Sequence, residues 1–226
     1  MSAPPNTNSG WAPVKEPMTV IFKDLSYNVM IDDPDAKGKG GPCSSAPKVQ
    51  KTIIHGISGA FFQGKLTAIM GASGAGKTTM LKAIAGQAAG GKITGSVLIN
   101  GIGMDTDAMS EHIGFVFQDD VILETMTIRE AITMSATLRL PGSMKPEEKQ
   151  RYVDQCIEML HLQKCADSCI GSSSDKGGVS GGERKRCSIG MELVVNPSIL
   201  YLDEPTTGVD AMSSDGHILL TLVNRS

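Results

Sequence analysis

Eight consecutive residues, Gly71, Ala72, Ser73, Gly74, Ala75, Gly76, Lys77 and Thr78, fit the spacing G-x-x-x-x-G-K-[ST] without a mismatch. Backbone N–H groups of such a loop line a concave nest for phosphate oxygens. Glycine is needed there because a side chain blocks the approach and resists positive φ. A helix beginning at Lys77 aims its positive N-terminus at the same anion. The chemistry is therefore nucleoside triphosphate binding. Lys77 would reach the β- and γ-phosphates, Thr78 would ligate Mg²⁺ through its hydroxyl, and Thr79 would adjoin them. The apolar segment Ser198-Ile-Leu-Tyr-Leu ends in Asp203 and Glu204, the complementary pair. Asp203 suits Mg²⁺ binding through water, and Glu204 suits polarising an attacking water as general base. Away from the loop, the same segment reads as a strand ending in two solvated acids.

A second glycine-rich segment is Val179-Ser180-Gly181-Gly182-Glu183-Arg184-Lys185-Arg186. Ser180 and Glu183 have the spacing of a helix-capping box. A capped helix start with two glycines also presents N–H donors to an anion. Gly71–Thr78 already surrounds its own triphosphate, so this segment more naturally serves the γ-phosphate held by a partner chain.

The elements that must position these residues alternate in type. Residues 1–17, rich in Pro, Asn and Ser, read as a disordered lead-in. Met18–Met30 and Lys51–Phe62 have strand character, separated by a Pro/Gly/Ser-rich loop over about 32–48. Leu66–Met70 is a short apolar strand that runs into Gly71, and a helix follows over Lys77–Ala85. Gly95–Ile99, Ile113–Phe117 and Ser198–Leu202 are further strands. Thr127–Leu140, opened by Thr127 and Glu130 and stopped by Pro141, reads as a helix, as do Pro146–Leu162 and Ser180–Val195. Asp215–Val223 begins a last helix, in which His217 is an ordinary member. Alternating strands and helices imply an α/β domain with a largely parallel sheet and ligands at its C-terminal strand ends.

Composition narrows the class. In 226 residues, 40% hydrophobic and 20% charged describe an ordinary globular chain, and a net charge of −3 gives no global attraction to nucleic acid or anionic lipid. Five cysteines without framework spacing fit a reducing compartment. His161, Cys165 and Cys169 recur every four residues and would share a helix face, but a metal there lacks a fourth ligand. No apolar run reaches the roughly 18 residues of a membrane helix.

Gly71–Thr78, Gln118, Val179–Arg186 and Ser198–Glu204, in that order, resemble the nucleotide-binding domain of ABC transporters. Val-Ser-Gly-Gly-Glu-Arg-Lys-Arg, Phe117-Gln118-Asp119-Asp120, Leu138-Arg139-Leu140-Pro141 and Glu204-Pro-Thr-Thr-Gly-Val-Asp210 are similar to the G subfamily. The resemblance covers residues 18–226. It implies a P-loop NTPase core with a mostly parallel sheet, an N-terminal antiparallel β part and an inserted helical signature subdomain at about 120–190. It implies ATP and Mg²⁺, with Gln118 at the metal or the attacking water, and Ser180, Gly181, Gly182 and Glu183 at a partner's nucleotide. Asp210 would couple two such domains, and Glu124–Leu140 would face a transmembrane domain. Tyr27 is a candidate for adenine stacking, against the ordinary core role of a strand aromatic. The partners implied are a second cassette and a membrane-spanning part, with the chain at the cytosolic face and no nucleic acid.

The family's switch histidine, its last strands and its membrane domain are expected to be missing, so ATP binding without efficient hydrolysis is the expectation for this chain. Two alternatives stay open: a soluble ABC-type ATPase of translation or repair, and a non-catalytic truncated subunit.

Overall fold

The computed structural model describes residues 16–33, 47–105, 109, 111–171, 177–205 and 218–221, the last four as backbone only. Its first layer is an antiparallel sheet of β1 (Val20–Asp32), β2 (Lys48–Phe61), β4 (Gly91–Ile99) and β5 (Ile102–Gly103), in the order β2-β1-β4-β5. β1 and β2 pair antiparallel from Val20 opposite Phe61 to Asp32 opposite Lys48, with register shifts between Phe22 and Asn28. The expected loop is thus the hairpin's connection, and its residues 34–46 lie outside those described.

The second sheet holds β3 (Leu66–Ile69), β6 (Ile113–Val116), β7 (Ile199–Leu202) and β8 (Ile218–Thr221), in the order β3-β8-β7-β6. All four residues of β6 and of β7 are buried. Such continuous apolar runs are what a parallel pair covered on both faces demands, and these two strands are parallel.

β8 corrects two expectations. Residues 218–221 form a strand, not part of a helix, and it runs antiparallel to both β3 and β7. β3, β7 and β6 share one direction, yet the sheet is mixed rather than largely parallel. An apolar run such as Ile218-Leu219-Leu220 has no periodicity that separates a buried strand from a buried helix. The gap between β3 and β7 decides it. A strand there pairs the backbone groups of both neighbours, which a helix cannot do.

Four helices complete the fold: α1 (Lys77–Ile84), α2 (Ile128–Arg139), α3 (Pro146–Met159) and α4 (Gly181–Leu193). α2 starts at a full capping box, in which the Glu130 amide donates to Thr127 Oγ1 at 3.2 Å and the Thr127 amide to Glu130 Oε2 at 2.9 Å. Its buried residues, Ile128, Ala131, Ile132, Ser135 and Ala136, follow the helical period and define one inward stripe. Pro146 opens α3, where its missing N–H costs nothing and Glu147 and Glu148 face the helix dipole favourably. The helix ends at Met159, and Gln163–Cys165 forms a separate 3-10 turn. His161 has φ 54° between them, so His161, Cys165 and Cys169 do not share a helix face. Among the described residues no group of three or more His, Cys, Asp or Glu side chains is placed to hold a metal ion.

Two main apolar cores result. One joins Val20, Phe22, Leu25 and Tyr27 of the first sheet to Leu81 and Ile84 of α1 and to Phe115, Ile199 and Tyr201 of the second. The other is built from α2, α3 and α4, with Ile132, Val153, Cys156 and Cys187 at its centre. Val116, Leu200 and Leu202 of the second sheet pack against Ile189 and Leu193, which joins α4 to the strands that end at the site. No described helix is long and apolar enough to cross a membrane.

Candidate nucleotide-binding site

β3 delivers the chain to Gly71, and α1 begins six residues later with Gly76 as its N-cap. Gly74 and Gly76 have φ 77° and 90°. Only glycine tolerates such conformations without strain, which explains the residue type at both turns. Residues 71–75 are exposed, and the loop is closed locally by the Ala75 amide donating to Ala72 O at 3.1 Å. Lys77 folds back over it, its ammonium donating to Gly71 O at 2.8 Å and Ala72 O at 3.0 Å. The cation therefore already lies on the loop that would cradle phosphates.

At the next residue, Thr78 Oγ1 donates to Asp203 Oδ1 at 2.9 Å. Asp203 lies just past the end of β7. Its amide donates to Val116 O at 2.9 Å, which extends the β6–β7 ladder by one residue and holds the side chain at the strand end. It is 1% exposed. Burial raises its carboxyl above the ordinary carboxylate range, and the Thr78 hydroxyl and the charge of Lys82 oppose that rise. A buried carboxylate and a hydroxyl, two hard oxygen donors already in contact, fit the ligand preference of Mg²⁺. Glu204 follows in the left-handed region, φ 46°, a conformation that costs energy for a non-glycine residue.

Gln118 lies in the exposed turn after β6. The backbone of that turn is held by Lys185 of α4, whose Nζ donates to Phe117 O at 3.1 Å and Gln118 O at 2.8 Å. It also forms an ion pair with Asp120 at 2.7 Å. Sequence reasoning missed Lys185 and Asp120 as functional candidates. Lysine is almost never fully buried unless paired, and no spacing announces that pairing.

Ser180 and Glu183 engage one another. The Ser180 amide and hydroxyl donate to Glu183 Oε2 at 2.8 and 2.7 Å, and the Glu183 amide donates to Ser180 Oγ at 3.3 Å. These bonds hold the Glu183 carboxyl below its ordinary range. Gly181 is exposed and Gly182 half-buried at the start of α4. α4 packs on α2, α3 and β6, whereas α1 packs on β2. Among the described residues no hydrogen bond joins Ser180–Glu183 to Gly71–Thr79. Tyr27 is 4% exposed and donates its hydroxyl to Ala89 O at 2.8 Å. Its ring is a core ring, unavailable for stacking on a base. Asp210 and His217 lie outside the described residues.

A glycine loop that caps a helix, with a buried Asp at the end of another strand of the same sheet meeting the helix's first-turn Thr, defines the P-loop class of nucleotide-binding domains. Residues 54–207 match the protein family described as ABC transporter. The chain is 40% identical over 200 residues to a probable ATP-dependent permease of Saccharomyces cerevisiae, covering 88% of this chain and 18% of that protein. It is 41% identical over 199 residues to the broad substrate specificity ATP-binding cassette transporter ABCG2 of Sus scrofa (88% and 29%). It is 39% identical over 210 residues to ABC transporter G family member 14 of Arabidopsis thaliana (92% and 31%). The chain belongs to the ABC transporter family, with its relatives in the G type. It spans less than a third of the length of these relatives.

Proposed function

We propose that this chain is the ATP-binding cassette of a G-type transporter, which binds ATP with Mg²⁺ and, in the complete protein, hydrolyses it to move a substrate across a membrane. The observation that carries this reading is the 2.9 Å contact between Thr78 and Asp203 at the mouth of the glycine loop. The relatives' printed names, an ATP-dependent permease and ATP-binding cassette transporters, supply transport as the process served.

The backbone of Gly71–Thr79 would cradle the triphosphate, and Lys77 would exchange the Gly71 and Ala72 carbonyls for β- and γ-phosphate oxygens. Thr78, Asp203 and Gln118 would hold Mg²⁺, which neutralises charge on the β- and γ-phosphate oxygens when bound. Glu204, one residue past Asp203, would orient the attacking water and accept its proton. The start of α4, with Ser180, Gly181, Gly182 and Glu183, would face the γ-phosphate held by a second cassette. β3, β7 and β6 would form the parallel part of the core. The helical unit at about 120–190 would carry the signature segment and face a membrane domain, with the chain on the cytosolic side.

A fluorescent ATP analogue titrated into the 226-residue chain tests the binding claim. Lys77→Ala should weaken binding about tenfold or more, because charge-assisted hydrogen bonds to phosphate are lost. Unchanged affinity would overturn the site.

A further inference from the structure

Lys185 is a buried cation that the nucleotide chemistry does not use. Its side chain is 4% exposed and that of Asp120 11%. An ammonium has three donors. Two go to the consecutive carbonyls of Phe117 and Gln118, and Asp120 Oδ1 lies 2.7 Å away as an ion-pair partner, outside hydrogen-bond alignment. The residues it grips bracket Gln118 on both sides. The same helix holds the strand that feeds this turn: Glu192 Oε2 accepts from the Phe115 amide at 3.3 Å and pairs with Arg139 at 3.0 Å. Residues 115–120 are therefore fastened to α4 at both ends, and α4 starts at Ser180. Simple charge compensation for Asp120 would need only the ion pair, not two bonds to adjacent backbone carbonyls.

We propose that Lys185 is a positioning residue: it locks the Phe117–Asp120 turn onto α4, so that Gln118 is presented to the nucleotide only in the register this helix dictates. The inference rests on the reading of Gln118 as a contact of the bound metal. The start of α4 and the turn at the metal then move as one unit. A partner's nucleotide at Ser180 and the chain's own nucleotide at Gln118 are thereby linked through α4, with Lys185 as its contact to the turn itself.

Removing one member of a buried ion pair leaves an uncompensated charge. The test therefore uses the paired variant K185M/D120N, which removes both charges and the carbonyl bonds together. Hydrogen exchange of the nucleotide-free chain is read first. Because Lys185 grips carbonyls, the readout is the exchange of the Phe115 amide, which donates to Glu192 Oε2 just before the turn. With residues 118–120 it should exchange about tenfold faster in the paired variant, while amides of α1 keep their wild-type rates. Unchanged exchange at Phe115 overturns the lock whatever the nucleotide does. Affinity for a fluorescent ATP analogue is read next, in EDTA and in Mg²⁺. The paired variant should match the wild type in EDTA and lose about tenfold of the gain conferred by Mg²⁺, the size expected when support behind a metal contact is removed. Added to Q118A, it should cause no further loss. An equal loss in the Q118A background means that Lys185 does not act through Gln118, and overturns the proposal. Faster exchange at Phe115, with a wild type and Q118A that respond alike to Mg²⁺, keeps the lock and overturns the metal reading of Gln118.

Discussion

Asp203 carries opposed demands. Its burial suits the proposed metal site and penalises the free carboxylate. Because its folded pKa is raised above the ordinary carboxylate value, the folded state binds the proton more tightly than the unfolded state. The contribution of Asp203 to nucleotide-free stability is therefore greatest at low pH and falls as pH rises from the ordinary carboxylate range through the raised value. Asp203→Asn has no charge to bury. In EDTA it should melt above the wild type at neutral pH, with the difference closing toward about pH 3. With Mg²⁺ and ATP the order should reverse, since the amide is the poorer Mg²⁺ ligand. A wild type that melts higher in EDTA at neutral pH would contradict this account. Glu183 has the opposite sign. Its lowered pKa means that the cap it forms with Ser180 contributes above the ordinary carboxylate range and is lost as pH falls through the lowered value.

At the level of elements, α4 connects the helical core to the strands of the site. Ser180→Ala removes the N-cap acceptor and should cost about 1 kcal/mol in chemical denaturation. Gly190 lies where α4 crosses its neighbours: a Cβ built there would stand 2.9 Å from Leu160 Cδ1 and 3.0 Å from Ile132 Cδ1. Gly190→Val should therefore destabilise by about 1–3 kcal/mol through overpacking, measured by the same unfolding curve, while leaving the loop at Gly71 intact. A loss confined to nucleotide affinity would contradict this. The capping box of α2 and the proline start of α3 were legible in the sequence, because both depend on residues within one turn of each other. β8 was not legible, because a four-residue apolar run takes its conformation from the strands beside it.

Across the whole molecule, the two candidate phosphate-facing helix starts belong to different packing units, α1 with the first core and α4 with the second. That separation accords with a working site assembled from two chains. Glu204→Gln, incubated with ATP and Mg²⁺, should then accumulate a dimer by light scattering, because hydrolysis can no longer reopen it. A monomer at saturating ATP would sink the two-chain reading.

What the sequence determined by itself is the chemistry and the local starts: the loop at Gly71–Thr78, the acids Asp203 and Glu204, and the capped entry to α4. Each is a short-range pattern, fixed by backbone geometry and by residues a few positions apart. Only the tertiary structure decided that Thr78 and Asp203, 125 residues apart, share a hydrogen bond. It alone decided that β8 reverses the sheet, that Tyr27 is enclosed, and that Lys185 holds the turn carrying Gln118. The physical reason is common to all four. Burial and pairing across distant segments depend on which surfaces meet, and no local spacing encodes that.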